Sequence, residues 1–70
     1  MKSLNVNGVA RQFSDKEMPA TLAELLKQLD TEASVAVAEL DGRIVRPEEF
    51  DRTELTDGQT IELVRFVGGG

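Results

Sequence analysis

Seventy residues, 40% of them hydrophobic and 30% charged, make one small soluble domain and leave no room for a second. A formal charge of -5, with Lys2, Arg11, Lys16, Lys27, Arg43, Arg46, Arg52 and Arg65 scattered along the chain, argues against binding to a nucleic-acid backbone. The chain has no Cys and no His, which excludes disulfides, thiol chemistry and the common zinc sites; stability must come from packing, and any site must lie on the surface or at an end.

No run approaches the roughly 20 apolar residues that cross a bilayer, and Met1-Lys2-Ser3-Leu4-Asn5 lacks the apolar stretch of a signal peptide. The reading is a cytoplasmic protein without a membrane partner, monomeric when alone. Its acidity serves solubility, or steers it toward a basic partner surface.

In chain order, Leu4 and Val6 alternate with polar Ser3 and Asn5, and Asn7-Gly8 supplies the two residues that tolerate positive φ in a tight hairpin turn. A two-residue loop sets Val6 opposite Val9, Leu4 opposite Arg11 and Lys2 opposite Phe13. It thereby predicts a core face of Leu4, Val6, Val9 and Phe13. Ser14 to Ala20 reads as a connector, with Asp15, Lys16 and Glu17 solvated and Pro19 ending any strand. Thr21 followed by Glu24 forms a capping box, and Leu22, Leu25, Leu26 and Leu29 recur at the spacing of one helix face.

Val35, Val37 and the neighbouring alanines form a second β-rich run that turns at Asp41-Gly42 and returns through Ile44 and Val45. Pro47 suits the first turn of a helix, so Pro47 to Phe50 is expected to make one turn with Phe50 as its anchor. After a turn at Asp57-Gly58, Gln59 to Val67 reads as the last strand, with Ile61 and Leu63 on the core face. By parity Val64 and Phe66 then stand on the outer face, unless a bulge turns one of them inward. The order hairpin, helix, hairpin, short turn and strand predicts an α+β architecture, a mixed sheet of four or five strands crossed by one helix.

The body of the domain offers little chemistry. Without His, Cys, Tyr or Trp the usual nucleophile-base pairs are missing, so the chain is not expected to be an enzyme. Glu48-Glu49 reads as a solvated run rather than an acid-base pair, which would need a pocket to separate two pKa values. Thr21 with Glu24 reads as a structural cap rather than a phosphate site, and neither Gly-containing turn has phosphate-loop spacing.

The end of the chain is different. Gly68-Gly69-Gly70 forms a thread without side chains after an apolar strand, and such a thread can pass through a slot too narrow for any Cβ. An inert frayed end is the plain alternative. Residues 1-67 are therefore expected to be the folded domain, and residues 68-70 a tail.

The hairpin at Asn7-Gly8, the leucine helix Thr21 to Leu29, the stretch Ile44-Val45-Arg46-Pro47-Glu48-Glu49-Phe50, the turn Asp57-Gly58 and the terminal glycines together resemble the ThiS family of thiamine-biosynthesis sulfur carriers. The resemblance implies a β-grasp fold like that of ubiquitin. It implies that an adenylating enzyme of the ubiquitin-activating type uses ATP to convert the Gly70 carboxylate to an acyl-adenylate, and that sulfur then replaces AMP to give a thiocarboxylate. Gly70 would carry the sulfur, Gly68 and Gly69 would give access, and an acceptor such as thiazole synthase would take it. No permanently bound cofactor is implied. Val64 and Phe66, exposed beside the tail, would be the partner-docking pair.

The chain departs from the family pattern in three places: Arg46-Pro47 reverses the usual Pro-Arg order, Gln59 replaces an Asp after Asp57-Gly58, and Gly68 stands where Ala is common. Three other readings remain open at this level: a ubiquitin-like modifier joined to targets through Gly70, the small subunit of a molybdopterin-synthase-like enzyme, and an interaction domain with an inert tail.

Overall fold

The computed structural model describes residues 1-66. The chain order is β1 (Lys2–Val6), β2 (Val9–Phe13), α1 (Leu22–Gln28), β3 (Val35–Leu40), β4 (Arg43–Val45), a 3-10 turn (Pro47–Glu49) and β5 (Thr60–Arg65). The five strands form one mixed sheet in the order β2-β1-β5-β3-β4, so the last strand lies at its centre.

Both hairpins follow from their turn residues. Asn7 and Gly8 have φ of 51° and 82°, and Asp41 and Gly42 have 48° and 86°, the two consecutive left-handed residues that match the twist of paired strands. The first turn sets Val6 opposite Val9, Leu4 opposite Arg11 and Lys2 opposite Phe13, as a two-residue loop requires. Asn7 also acts across the sheet. The β1 and β5 strands run parallel, with the Asn5 N–H on the Gln59 carbonyl and the Asn7 N–H on the Ile61 carbonyl, both at 2.9 Å. Where the backbone of β1 turns away, the Asn7 side-chain carbonyl accepts the Leu63 N–H at 2.7 Å and extends the ladder by one bond.

The helix lies across the sheet and buries Leu22, Leu25 and Leu26 completely against Leu4, Val6, Val35, Ala38, Leu40, Val45 and Ile61. Phe50, following the 3-10 turn, is buried beside them and anchors that turn. Leu55, which no periodicity marks, also joins the core: its N–H bonds the Ala20 carbonyl at 2.9 Å as residues 51-58 wrap the start of the helix.

Two sequence expectations are corrected. Val9 shares the core side of the sheet with Val6 but is 55% exposed, and Phe13 is only partly buried. A seven-residue helix is about 10 Å long, while five strands span about 19 Å, so the edge strand β2 lies beyond its cover. The last strand ends at Arg65 rather than Val67, although the Phe66 N–H still reaches the Ser34 carbonyl at 2.9 Å; Val67 lies outside the described residues.

The helix ends in a Schellman arrangement, with the Thr31 N–H on the Leu26 carbonyl and the Asp30 N–H on the Lys27 carbonyl. Asp30 occupies the left-handed position usually taken by glycine, at φ 57°, and brings a negative charge to the negative end of the helix dipole. Replacing it (Asp30→Gly) is expected to stabilise the domain by about 1 kcal/mol, a rise of about 4 to 8 °C in thermal midpoint. An unchanged or lower midpoint in a calorimetric scan would show that the strain is not felt.

Candidate functional site

Arg65 closes the central strand of the sheet, and Phe66 is the last described residue. Gly68, Gly69 and Gly70, the expected tail and sulfur-carrying end, lie outside the described residues. What the structure describes is the platform from which they leave.

On β5, Ile61 and Leu63 point to the helix side, Ile61 fully buried and Leu63 packed against the core. Val64 and Phe66 take the opposite parity, and they are 50% and 65% exposed. A bulge does occur, but on the neighbouring strand. The β3/β5 register shifts between Val35 and Val37, so Ala36 is the extra residue, and Val35 is brought to the core side three residues before Ala38. The unbroken register from Leu40 opposite Ile61 sets Val37 opposite Val64 on the outer face.

The next row of that face is charged. Glu39 of β3 stands opposite Glu62 of β5, and on its other side opposite Ile44 of β4, which is also exposed. Two like charges directly opposite each other are destabilising in a sheet. The outer face of β3, β4 and β5 thus carries an apolar group of Val37, Ile44, Val64 and Phe66 interrupted by a pair of carboxylates. Sequence reasoning had only the β5 half of it. Val37, Glu39 and Ile44 join it through strand order and register.

The other sequence candidates resolve as structural features. Glu48 and Glu49 are exposed, and the Glu49 carboxylate accepts the Arg46 backbone N–H at 3.3 Å, closing the 3-10 turn. The first N–H groups of the helix are all taken: Leu22 donates to the Thr53 carbonyl, Ala23 to the Phe50 carbonyl, and Glu24 to Thr21 Oγ1 at 3.2 Å. That leaves this helix start no free donors for an anion. Among the described residues no group of three or more Asp and Glu could hold a metal ion, and no helix is long and apolar enough to cross a membrane.

Comparison with known proteins places this arrangement. The model of the ThiS family matches residues 4–70, a span that includes the glycine tail. The chain is 33% identical over 67 residues to the sulfur carrier protein ThiS of Bacillus subtilis (strain 168), covering 96% of this chain and 98% of that one. The crystal structure of the thiamine biosynthesis protein ThiS from Geobacter metallireducens superposes with a TM-score of 0.77 at 32% identity, covering 97% of this chain and 99% of that one. The solution structure of a thiamine biosynthesis protein from the same organism gives 0.74 at 33% identity, covering 97% and 87%. With a β-grasp sheet shared with solved relatives and a family match that runs through the final glycine, the chain belongs to the ThiS family.

Proposed function

We propose that this protein is a cytoplasmic sulfur carrier of thiamine biosynthesis, a co-substrate rather than a catalyst, whose working group is the carboxylate of Gly70. The observation that carries the reading is the family match over residues 4–70, glycine tail included. A carboxylate is a poor electrophile at neutral pH. In the partner's active site its oxygen attacks the α-phosphorus of ATP and expels pyrophosphate, giving an acyl-adenylate with AMP as leaving group. Hydrosulfide then displaces AMP to leave the thiocarboxylate of Gly70; with a persulfide donor the product is an acyl disulfide, whose S–S bond a second thiol reduces to release the same thiocarboxylate. That soft nucleophile passes sulfur to an acceptor such as thiazole synthase.

The chain's own residues serve access and docking. Gly68 and Gly69 offer a backbone without Cβ to a covered slot. Val64 and Phe66 form the contact surface for the adenylating enzyme, an exposed apolar pair beside the reactive end. The test is to incubate the intact protein with a ThiS-adenylating enzyme, ATP and a sulfur donor and to weigh the product. Exchange of one oxygen for sulfur is expected, and the product should react with alkylating agents although the chain has no Cys. An unchanged mass would overturn the reading, and a mass equal to the protein joined to a target lysine would favour a modifier.

Phe66→Ala is expected to weaken binding to the adenylating enzyme by about tenfold or more, as for a buried aromatic anchor. The thermal midpoint should stay nearly constant, because Phe66 is largely exposed in the free protein. Calorimetric titration and a thermal scan on the same sample decide this, and a large loss of stability would place Phe66 in the core instead.

A further inference from the structure

We infer that the Glu39–Glu62 pair is a socket for one cationic side chain, an arginine, of the protein partner that covers the Val37, Ile44, Val64 and Phe66 face. The inference rests on the docking reading above and adds the chemistry of the partner's contact. It starts from the register: Glu39 and Glu62 are directly opposed on neighbouring strands, and the remaining strand neighbour of Glu39 is Ile44. Neither strand neighbour of Glu39 therefore supplies a positive charge. The carboxylate of Asp41, in the turn after β3, is already engaged by the Thr60 N–H at 2.9 Å. On the flanking strand, Arg43 stands opposite Leu40 and so takes the other parity, and Arg46 follows the end of β4, two residues beyond Ile44.

Such an arrangement disfavours the free protein and rewards a partner. Directly opposed residues have Cβ atoms about 5 Å apart, a spacing that one planar guanidinium bridges with a fork of N–H donors to each carboxylate. The flanking Ile44 and Val64 exclude water from that contact once covered, which strengthens it, and the flat guanidinium tolerates apolar neighbours better than a strongly hydrated ammonium. Charge complementarity thus selects a surface that presents an arginine among apolar side chains. A second copy of this acidic chain is a poor candidate, because two such faces would bring four carboxylates together.

The experiment compares the intact protein, Glu39→Gln with Glu62→Gln in one chain, and Phe66→Ala, each titrated into the adenylating enzyme across a range of salt concentrations. The double variant is expected to keep or raise its thermal midpoint, since a repulsion is removed. It should bind about tenfold more weakly at low salt and lose most of the salt dependence. A merely structural pair would not raise stability and lower affinity together. Unchanged affinity and salt slope in the double variant, with Phe66→Ala still weak, would overturn the socket and leave the docking face standing. If Phe66→Ala also bound normally, the docking reading itself would be lost. Salt-sensitive self-association of the intact protein, abolished in the double variant, would assign the socket to a second copy and overturn the inference.

Discussion

Removal of Gly70 is expected to abolish sulfur loading while the domain stays folded. The buried hydrophobic residues of the described chain run from Leu4 to Ile61, and the Phe66 N–H still bonds the Ser34 carbonyl just past the end of β5. Shortening the chain by one residue is therefore expected to spare the core and sheet of the described residues, and the thermal midpoint should be the same within error. The reacting carboxylate, however, would sit one residue, about 3.5 Å, short of its place in a covered active site. Near-attack geometry tolerates displacements of well under that distance, and a misplacement of about 1 Å can already cost a hundredfold in rate. Gly69→Val makes the complementary change, keeping the length but adding a β-branched side chain to the thread. Both variants should show no mass gain under conditions that convert the intact protein fully. Equal conversion of the truncated chain would refute the carrier reading of Gly70 and leave the fold unaffected.

Leu25→Ala and Leu26→Ala are expected to cost about 2 to 5 kcal/mol each, the range for a fully buried leucine truncated to alanine. At about 0.05 to 0.15 kcal/mol per residue, the stability of a 70-residue domain amounts to roughly 4 to 10 kcal/mol. Either change thus takes a large part of the total, and the less stable outcome is a chain unfolded at growth temperature. Among the described residues both leucines lie on the one α-helix that covers the sheet, so no other described element can close over the gap. Urea titration gives the measurement. A midpoint within error of the parent would mean that the stripe is not buried and that the helix does not pack on the sheet.

The two predictions separate the functions of the chain. Core substitutions should lower loading only as far as they lower the folded fraction, whereas tail substitutions should remove loading from a fully folded protein. Phe66→Ala and the Glu39/Glu62 variant fall between, changing affinity for the partner with folding intact.

Local chemistry by itself determined much of this protein. The registers of both hairpins follow from Asn7-Gly8 and Asp41-Gly42, because a two-residue turn with two left-handed residues admits one pairing. The helix start at Thr21, its leucine face and the anchor at Phe50 were legible for the same reason, since capping and periodicity act within a few residues. The glycine tail and the family resemblance needed no structure at all. The tertiary structure alone decided the place of β5 between β1 and β3, the burial of Leu55, the exposure of Val9, the β3/β5 register that sets Val37 opposite Val64 and Glu39 opposite Glu62, and the bulge at Ala36 that turns Val35 to the core. Each of these depends on partners tens of residues apart in the chain. Hydrophobic alternation shows that a residue prefers one side of a strand; only the assembled sheet decides which strand lies next to it and how far the helix reaches to cover it.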